Sequence, residues 1–336
     1  MPPTVINGPA LVALALALTV SAADGQRAVR PEAHPENAVT AITRALDAYP
    51  LVAIGETHRN QQLHDLLVTV VRDARFLANG GDIVVEFGNA RYQDRMDRYI
   101  RGETVDQKSL AQVWRDAVNI LVWDAPVYER FFDTVRDVNR TRPTGKYLRV
   151  LLADPPIDWA VVADRTAWEQ IAATRDQHAA GVIRDEVLAR GRRALLIFGS
   201  GHVEQAFGPH RPSNLAELLE AERPGGTFYV TADWGNRETT ALLVRWRPPV
   251  LVRLKGTSLG AIHVGPPAQT PRLDEIADAF LYLGPASSLT TSVPAPLIYA
   301  DTAYLRELLR RDAIQGGANA AELRRLSARF LNGRTR

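Results

Sequence analysis

Four short runs in the first two thirds of the chain are apolar at nearly every position: LVAIG (51–55), DIVVEF (82–87), YLRVLLAD (147–154) and ALLIFGSG (194–201). A strand with one wet face alternates apolar and polar residues. A strand apolar at consecutive positions is covered on both faces, which is the condition of strands in a parallel sheet with helices on either side. The stretches between these runs have helical periodicity. NQQLHDLLVTVVRDARFLANGG places Leu63, Leu66, Leu67 and Val70 on one stripe and stops near Gly80, and APVYERFFDTVRDVNR does the same with Val127, Phe131, Val135 and Val138. TAWEQIAATRDQHAAGVIRDEVLARG reads as one long helix ending at Gly191. Strand, helix and strand in repetition predict βαβ units, and so an α/β fold with a mainly parallel central sheet flanked by helices. The segment from about 90 to 140 exceeds what one crossover needs and is expected to be a helical insertion able to cap a site. In the C-terminal third, TFYVTADW (227–234), ALLVRW (241–246), VLVRL (250–254) and DAFLYLG (278–284) follow closely on one another and predict an antiparallel extension of the sheet. Two amphipathic helices are expected around 301–313 and 319–331, with one domain over 41–336.

The N-terminus has a different character. PALVALALALTVSA is an apolar run followed by small residues, and Val20 and Ala22 fit a signal-peptidase site with cleavage before Ala23. The run is too short to span a bilayer comfortably. The expectation is a signal peptide over 1–22, a flexible lead-in over 23–40, and an exported protein, periplasmic or extracellular, that is not integral to the membrane. The chain contains no cysteine, which excludes disulfides, thiolate metal sites and a cysteine nucleophile. Its 40 basic and 38 acidic residues are interleaved, as in RYQDRMDRYIRGE, without a basic block, which argues against nucleic acid as a partner.

Chemistry-bearing residues gather where these strands stop. The first run leads into Gly55-Glu56-Thr57-His58, the second holds Glu86, the third ends at Asp154, and the fourth passes into Gly199-Ser200-Gly201-His202. Parallel strands point the same way, so these ends share one edge of the sheet, where open α/β sheets bind ligands. The repeated G-x-x-H places an imidazole after a glycine that permits a tight turn. An imidazole there is a general base near neutral pH or a metal ligand. His58, His202 and Glu86 are a sufficient donor set for a divalent cation such as zinc or manganese, with water completing it. The same residues, with Glu56, also suffice for metal-free activation of water. Ending strands, they are expected to add little to the core. His64 falls in the first turn of the following helix. Trp114, Trp123 and Tyr128, in the insertion, are core residues or the wall of an apolar pocket. No G-x-S-x-G elbow, phosphate-binding loop, dinucleotide fingerprint or H-E-x-x-H helix is present.

Taken in order, GETHxxxxxH, VVEFGNARYQDRMDRYIRG, Trp114, Trp123, Tyr128, RDQHAAGVI and GSGHV resemble the haem-binding uptake/Tiki superfamily over roughly residues 45–210, with ChaN-like proteins as the nearest branch and erythromycin-esterase-like and Tiki-type proteins more distant. The resemblance places the first motif on Glu56 and His58, the central glutamate on Glu86 and the second histidine on His202. Arg91 and Gln93 follow the glutamate, and Arg175 with Asp176 match the helix motif. The departures are Ala179 for that motif's methionine, His64-Asp65 for the paired histidines, and no lipoprotein cysteine. Two functions are implied as expectations. In one, Glu56, His58, Glu86 and His202 carry hydrolysis of an ester or amide in a small molecule or peptide, with His64, Arg91, Asp154 and Arg175 binding the ligand and Arg175 and His202 stabilising the oxyanion. In the other, the crevice carries haem or another small ligand without catalysis, between two protomers of a homodimer.

Overall fold

The strands form a single eight-stranded sheet in the order β1-β7-β8-β6-β2-β5-β3-β4. They are β1 (Pro35–Asn37), β2 (Leu51–Glu56), β3 (Asp82–Asn89), β4 (Val150–Asp154), β5 (Ala194–Gly199), β6 (Thr227–Thr231), β7 (Val250–Arg253) and β8 (Ala279–Tyr282). The computed structural model describes residues 30–79, 81–143, 145–205, 213–232 and 241–333. The leader expected over 1–22 lies outside the described residues.

The predicted α/β class holds. β6, β2, β5, β3 and β4 pair in parallel, and β8 joins β6 in parallel. The antiparallel part is β7, between β8 and β1. β2, β3, β4 and β5 are buried along their whole length, as their unbroken apolar runs require. Val52, Ile54, Ile83, Val85 and Phe87 face one side, packing with Leu63, Leu67, Tyr128 and Phe131. Leu51, Ala53, Val84, Leu196 and Phe198 face the other, packing with Ala179, Ile183 and Leu219. β4 ends the sheet, and Gln93 blunts its open edge: the side chain donates to the Val150 carbonyl and accepts from the Leu152 N–H, both at 2.8 Å.

The insertion contributes helices Gln93–Ile100, Gln107–Arg115 and Pro126–Arg140. The C-terminal helices Thr302–Gln315 and Ala320–Gly333 close a third apolar cluster around Val118, Trp159, Tyr299, Leu308 and Leu323. The segment before them is strapped to the first motif. Gln61 N–H donates to the Thr290 carbonyl at 2.9 Å and Ser292 N–H donates to the Arg59 carbonyl at 2.7 Å.

Three local expectations change. Residues 35–40, read within a flexible lead-in, form β1 and the start of helix Ala38–Ala48, because β7 offers β1 an antiparallel edge. ALLVRW is not a strand: residues 241–243 are helical and Val244 is 64% exposed, since a short apolar run does not by itself distinguish strand from helix. The long helix expected to Gly191 is broken into Arg165–Ala172, Arg175–Ile183 and a π-turn over Arg184–Leu188. The break lets a new helix begin at Arg175 and Asp176, beside the sheet edge.

Candidate functional site

Glu56 is the last residue of β2 and shares the face of Val52 and Ile54, so its carboxylate enters the insertion side of the core. Three donors converge on Oε1: the Tyr128 hydroxyl at 2.7 Å, His64 Nε2 at 3.0 Å and the Arg59 N–H at 3.3 Å. Oε2 is buried without a hydrogen-bond partner and faces His58 Nδ1, likewise unpartnered, at 3.8 Å. Burial alone would raise this carboxyl, but the His64 and His58 imidazoles overcome that and hold it down to about 2. Glu56 is therefore ionised at any physiological pH.

Glu86 lies on the opposite face, with Val84. The register between β3 and β4 shifts between Val85 and Asn89, a bulge that re-aims the residues within it. Its Oε2 accepts the Gly199 N–H at 2.5 Å, and its Oε1 accepts Arg175 Nη2 at 2.5 Å and lies 3.3 Å from His202 Nε2. Arg175 Nε also donates to Asp154 Oδ1 at 2.9 Å, and His202 Nδ1 pairs with Asp176 Oδ1 at 2.6 Å. This is a connected ion network with partners for each charge, the condition under which buried charges are tolerated. Against the cost of burial, Arg175 and His202 hold Glu86 well below the ordinary carboxylate range. Burial likewise opposes charge on His202, yet Asp176 and Glu86 push its pKa up to about 10.

His58 joins the two halves. Its side chain is 37% exposed and stands edge-on to Trp123, with ring centroids 4.6 Å apart. Burial disfavours its charged form, but Glu56 on one side and Glu86 on the other raise its pKa above 6.5. The close fit depends on glycine: a Cβ at Gly199 would lie 2.7 Å from His58 Cε1 and 3.2 Å from Glu86 Oε2.

The crevice thus brings Glu56, His58, Glu86, Asp154, Arg175 and His202 together, and the structure gives each its partners. His64, expected to bind the ligand, has no exposed surface and pairs with Glu56. Asp154 is buried under Arg175 and the Val118 N–H, which donates to it at 2.6 Å. Arg91 pairs with Asp158 at the surface, at 2.8 Å. Of the two residues expected to steady an oxyanion, Arg175 has its Nε and Nη2 engaged by carboxylates, and His202 has both ring nitrogens so engaged. Nor are these carboxylates marginal to the core, since Glu56 and Glu86 are 2% and 3% exposed.

A metal fits this donor set poorly. A ligating carboxylate needs free lone pairs and a ligating imidazole must be neutral. Glu86 is taken by a guanidinium and a backbone N–H, and His202 is held as a cation between two carboxylates. Among the described residues no group of three or more His, Asp or Glu side chains is disposed to hold a metal ion.

Residues to which the sequence gives no definite role complete the site. Tyr128 donates to Glu56 across 72 positions of chain, Trp123 abuts His58, and Asp176 fixes His202. All three belong to the ordered motifs, but their partners are set by folding. Trp123, Tyr128, Phe87 and Phe131 pack on one another inside the main core rather than lining an open slot.

Known proteins share parts of this description. A family model described as haem-binding uptake, Tiki superfamily, ChaN matches residues 42–142, the span from the first motif through the insertion. No curated protein matches the chain. Among solved structures, a succinoglycan biosynthesis protein aligns with a TM-score of 0.53 at 8% identity, covering 75% of this chain and 94% of that one. A protein from Bacillus cereus aligns at 0.53 and 8%, covering 79% and 97%. An erythromycin esterase in its open conformation aligns at 0.52 and 10%, covering 72% and 92%. At such identities these structures share a fold with this chain and nothing finer. The chain is a distant match to the ChaN/Tiki haem-binding superfamily, in a fold that it shares with several weakly similar structures.

Proposed function

We propose that this chain is an exported protein that hydrolyses an ester or amide bond, with His58 as general base and Glu56 as the carboxylate that orients it. The observation that carries the reading is the pair of facing, unpartnered atoms Glu56 Oε2 and His58 Nδ1, on an imidazole whose side chain is 37% exposed. His58 Nε2 removes a proton from water, and the water oxygen attacks the carbonyl carbon. The imidazolium formed is stabilised by Glu56, and it returns the proton to the departing alcohol or amine as the bond breaks. Tyr128 and His64 fix Glu56 in place. Glu86, Arg175, Asp154, His202 and Asp176 act as positioning residues that hold Gly199 and the far side of His58. The likeness in fold to an erythromycin esterase agrees with this class of reaction.

Binding of haem without turnover is the second reading, favoured by the description of the family model that matches residues 42–142. His58 is the crevice imidazole able to reach an iron, since His64 is enclosed and both nitrogens of His202 are occupied. One pair of measurements separates the readings: release of para-nitrophenol from para-nitrophenyl butyrate, and a visible spectrum taken as haem is added. Turnover lost in His58→Ala without a haem-dependent absorption band is the expected result. A Soret band that forms stoichiometrically and is lost in His58→Ala, with no ester turnover, overturns hydrolysis in favour of haem binding.

Export is part of the same reading, supported by the apolar leader and the small residues at Val20 and Ala22. Protein recovered from its native host is expected to begin at Ala23 by mass spectrometry. An intact Met1 on cytoplasmic material contradicts it.

A further inference from the structure

We propose that Arg59 binds an oxyanion, a carboxylate or a phosphate, carried by the molecule on which His58 acts. Arg59 follows His58 directly and has φ 67°, the left-handed region that a residue with a Cβ enters at a cost and keeps only where its surroundings demand it. Here the surroundings do. Its N–H reaches the Tyr128 oxygen at 2.9 Å and Glu56 Oε1 at 3.3 Å, and its carbonyl accepts from the Ser292 N–H at 2.7 Å. The backbone is thus clamped between the first motif, the insertion and the C-terminal strap.

The side chain is in the reverse condition. It is half-buried, its Nε is fully enclosed, and among the described residues that nitrogen has no hydrogen-bond partner and the guanidinium no ion pair. Other half-buried arginines meet oxygen, among them Arg95 with the Ser109 carbonyl and Gln112, Arg193 with the carbonyls of Leu46 and Tyr49, and Arg175 with two carboxylates; Arg115, whose Nε is likewise enclosed without a hydrogen bond, still has Asp124 as an ion-pair partner at 3.7 Å. Burying a cation without a counter-charge is unfavourable, and a guanidinium is the side chain best shaped to take a carboxylate or phosphate through paired N–H donors.

Its position suits a substrate contact. Burial and Asp124 push the Tyr299 phenol up, and the Arg59 cation lies near enough to oppose them in part; Tyr299 bonds to Asp124, the neighbour of Trp123, at 3.2 Å. Trp123 in turn touches His58. A buried donor with no partner, Trp123 Nε1, lies in this same region. An anionic group held by Arg59 would therefore sit one side chain away from the imidazole, leaving the rest of the molecule over His58.

The inference rests on the hydrolase reading for the chemistry that comes after binding, so binding is tested without turnover. Sodium succinate and inorganic phosphate are titrated calorimetrically at low salt into the full-length wild type, Arg59→Asn and Arg59→Lys. Asn is chosen because it accepts left-handed backbone while removing the charge. At least one anion is expected to bind the wild type, to lose roughly tenfold or more in affinity with Asn, and to recover in part with Lys. Whether succinate or phosphate binds tells which oxyanion the site takes. No binding of either anion to the wild type, or equal affinity in Arg59→Asn, overturns the proposal. A parallel comparison of para-nitrophenyl hemisuccinate with the neutral butyrate is expected to show the preference for the charged ester falling in Arg59→Asn. If neither ester is cleaved while succinate or phosphate binding depends on Arg59, the hydrolase reading fails and the anion site stands.

Discussion

Replacing His58 with Ala is expected to lower kcat/KM for ester hydrolysis by roughly 10²–10⁴-fold, the usual worth of a positioned general base. The pH dependence ties this loss to His58 rather than to a disturbed fold. The base must be neutral to accept a proton. Burial favours the neutral form, but Glu56 and Glu86 outweigh it and raise the His58 pKa above 6.5. Wild-type activity should therefore rise with pH along a limb that lies above 6.5. Glu56, held down to about 2, stays charged throughout and adds no second limb. In Glu56→Gln one of the two raising charges is gone, so the limb should move to lower pH while the maximal rate falls. A limb that stays in place, or a His58→Ala variant with wild-type turnover, would remove His58 from the mechanism.

Glu86→Gln is expected to destabilise the protein by about 3 kcal/mol, read from the urea midpoint and slope at neutral pH. Removing one partner of a buried ion pair costs about 3–5 kcal/mol because the other charge is left behind. The lower end applies because Asp154 still faces Arg175 and Asp176 still faces His202. The same network has a pH signature. The His202 pKa is raised on folding, to about 10 from 6.5, so the native state binds a proton that the unfolded state has released between those values. Its stabilisation is complete below 6.5 and is lost as pH rises toward 10. Wild-type stability should decline across that window, and Glu86→Gln should decline less, because the raising charge is absent. Equal slopes would show that Glu86 does not hold His202 as a cation. The Glu56 contribution runs the other way: present above its ordinary 4.5, it fades as pH falls toward 2.

Much of the architecture is legible locally because it is written in single runs. Both-face burial of a parallel strand demands apolar residues at consecutive positions, so β2, β3, β4 and β5 are visible without their neighbours. Their shared direction then puts Glu56, His58, Glu86, Asp154 and His202 at one edge. Where a run carries no such mark the reading slips: β1 is PEN, three residues that become a strand because β7 has an edge to offer. ALLVRW fails for the opposite reason, apolar but with no place in the sheet.

By itself, then, the sequence determines the class of fold, the strand ends and the residue types that meet there, since periodicity and chain direction are local properties. The division of labour at the site is tertiary. Both carboxylates belong to strands that are apolar on each face, so nothing in the runs announces that Glu56 enters one core and Glu86 the other, with His58 between them. Charge and proton affinity depend on distances across the fold: Tyr128 to Glu56 over 72 positions, Arg175 to Glu86 over 89, Gly199 to Glu86 over 113. The energy of a buried charge is fixed by what stands within a few ångströms of it. That is why His64 ends as a prop for Glu56 and His202 as a clamped cation. It is also why Arg59, which has no ion pair among the described residues, is left to meet a ligand.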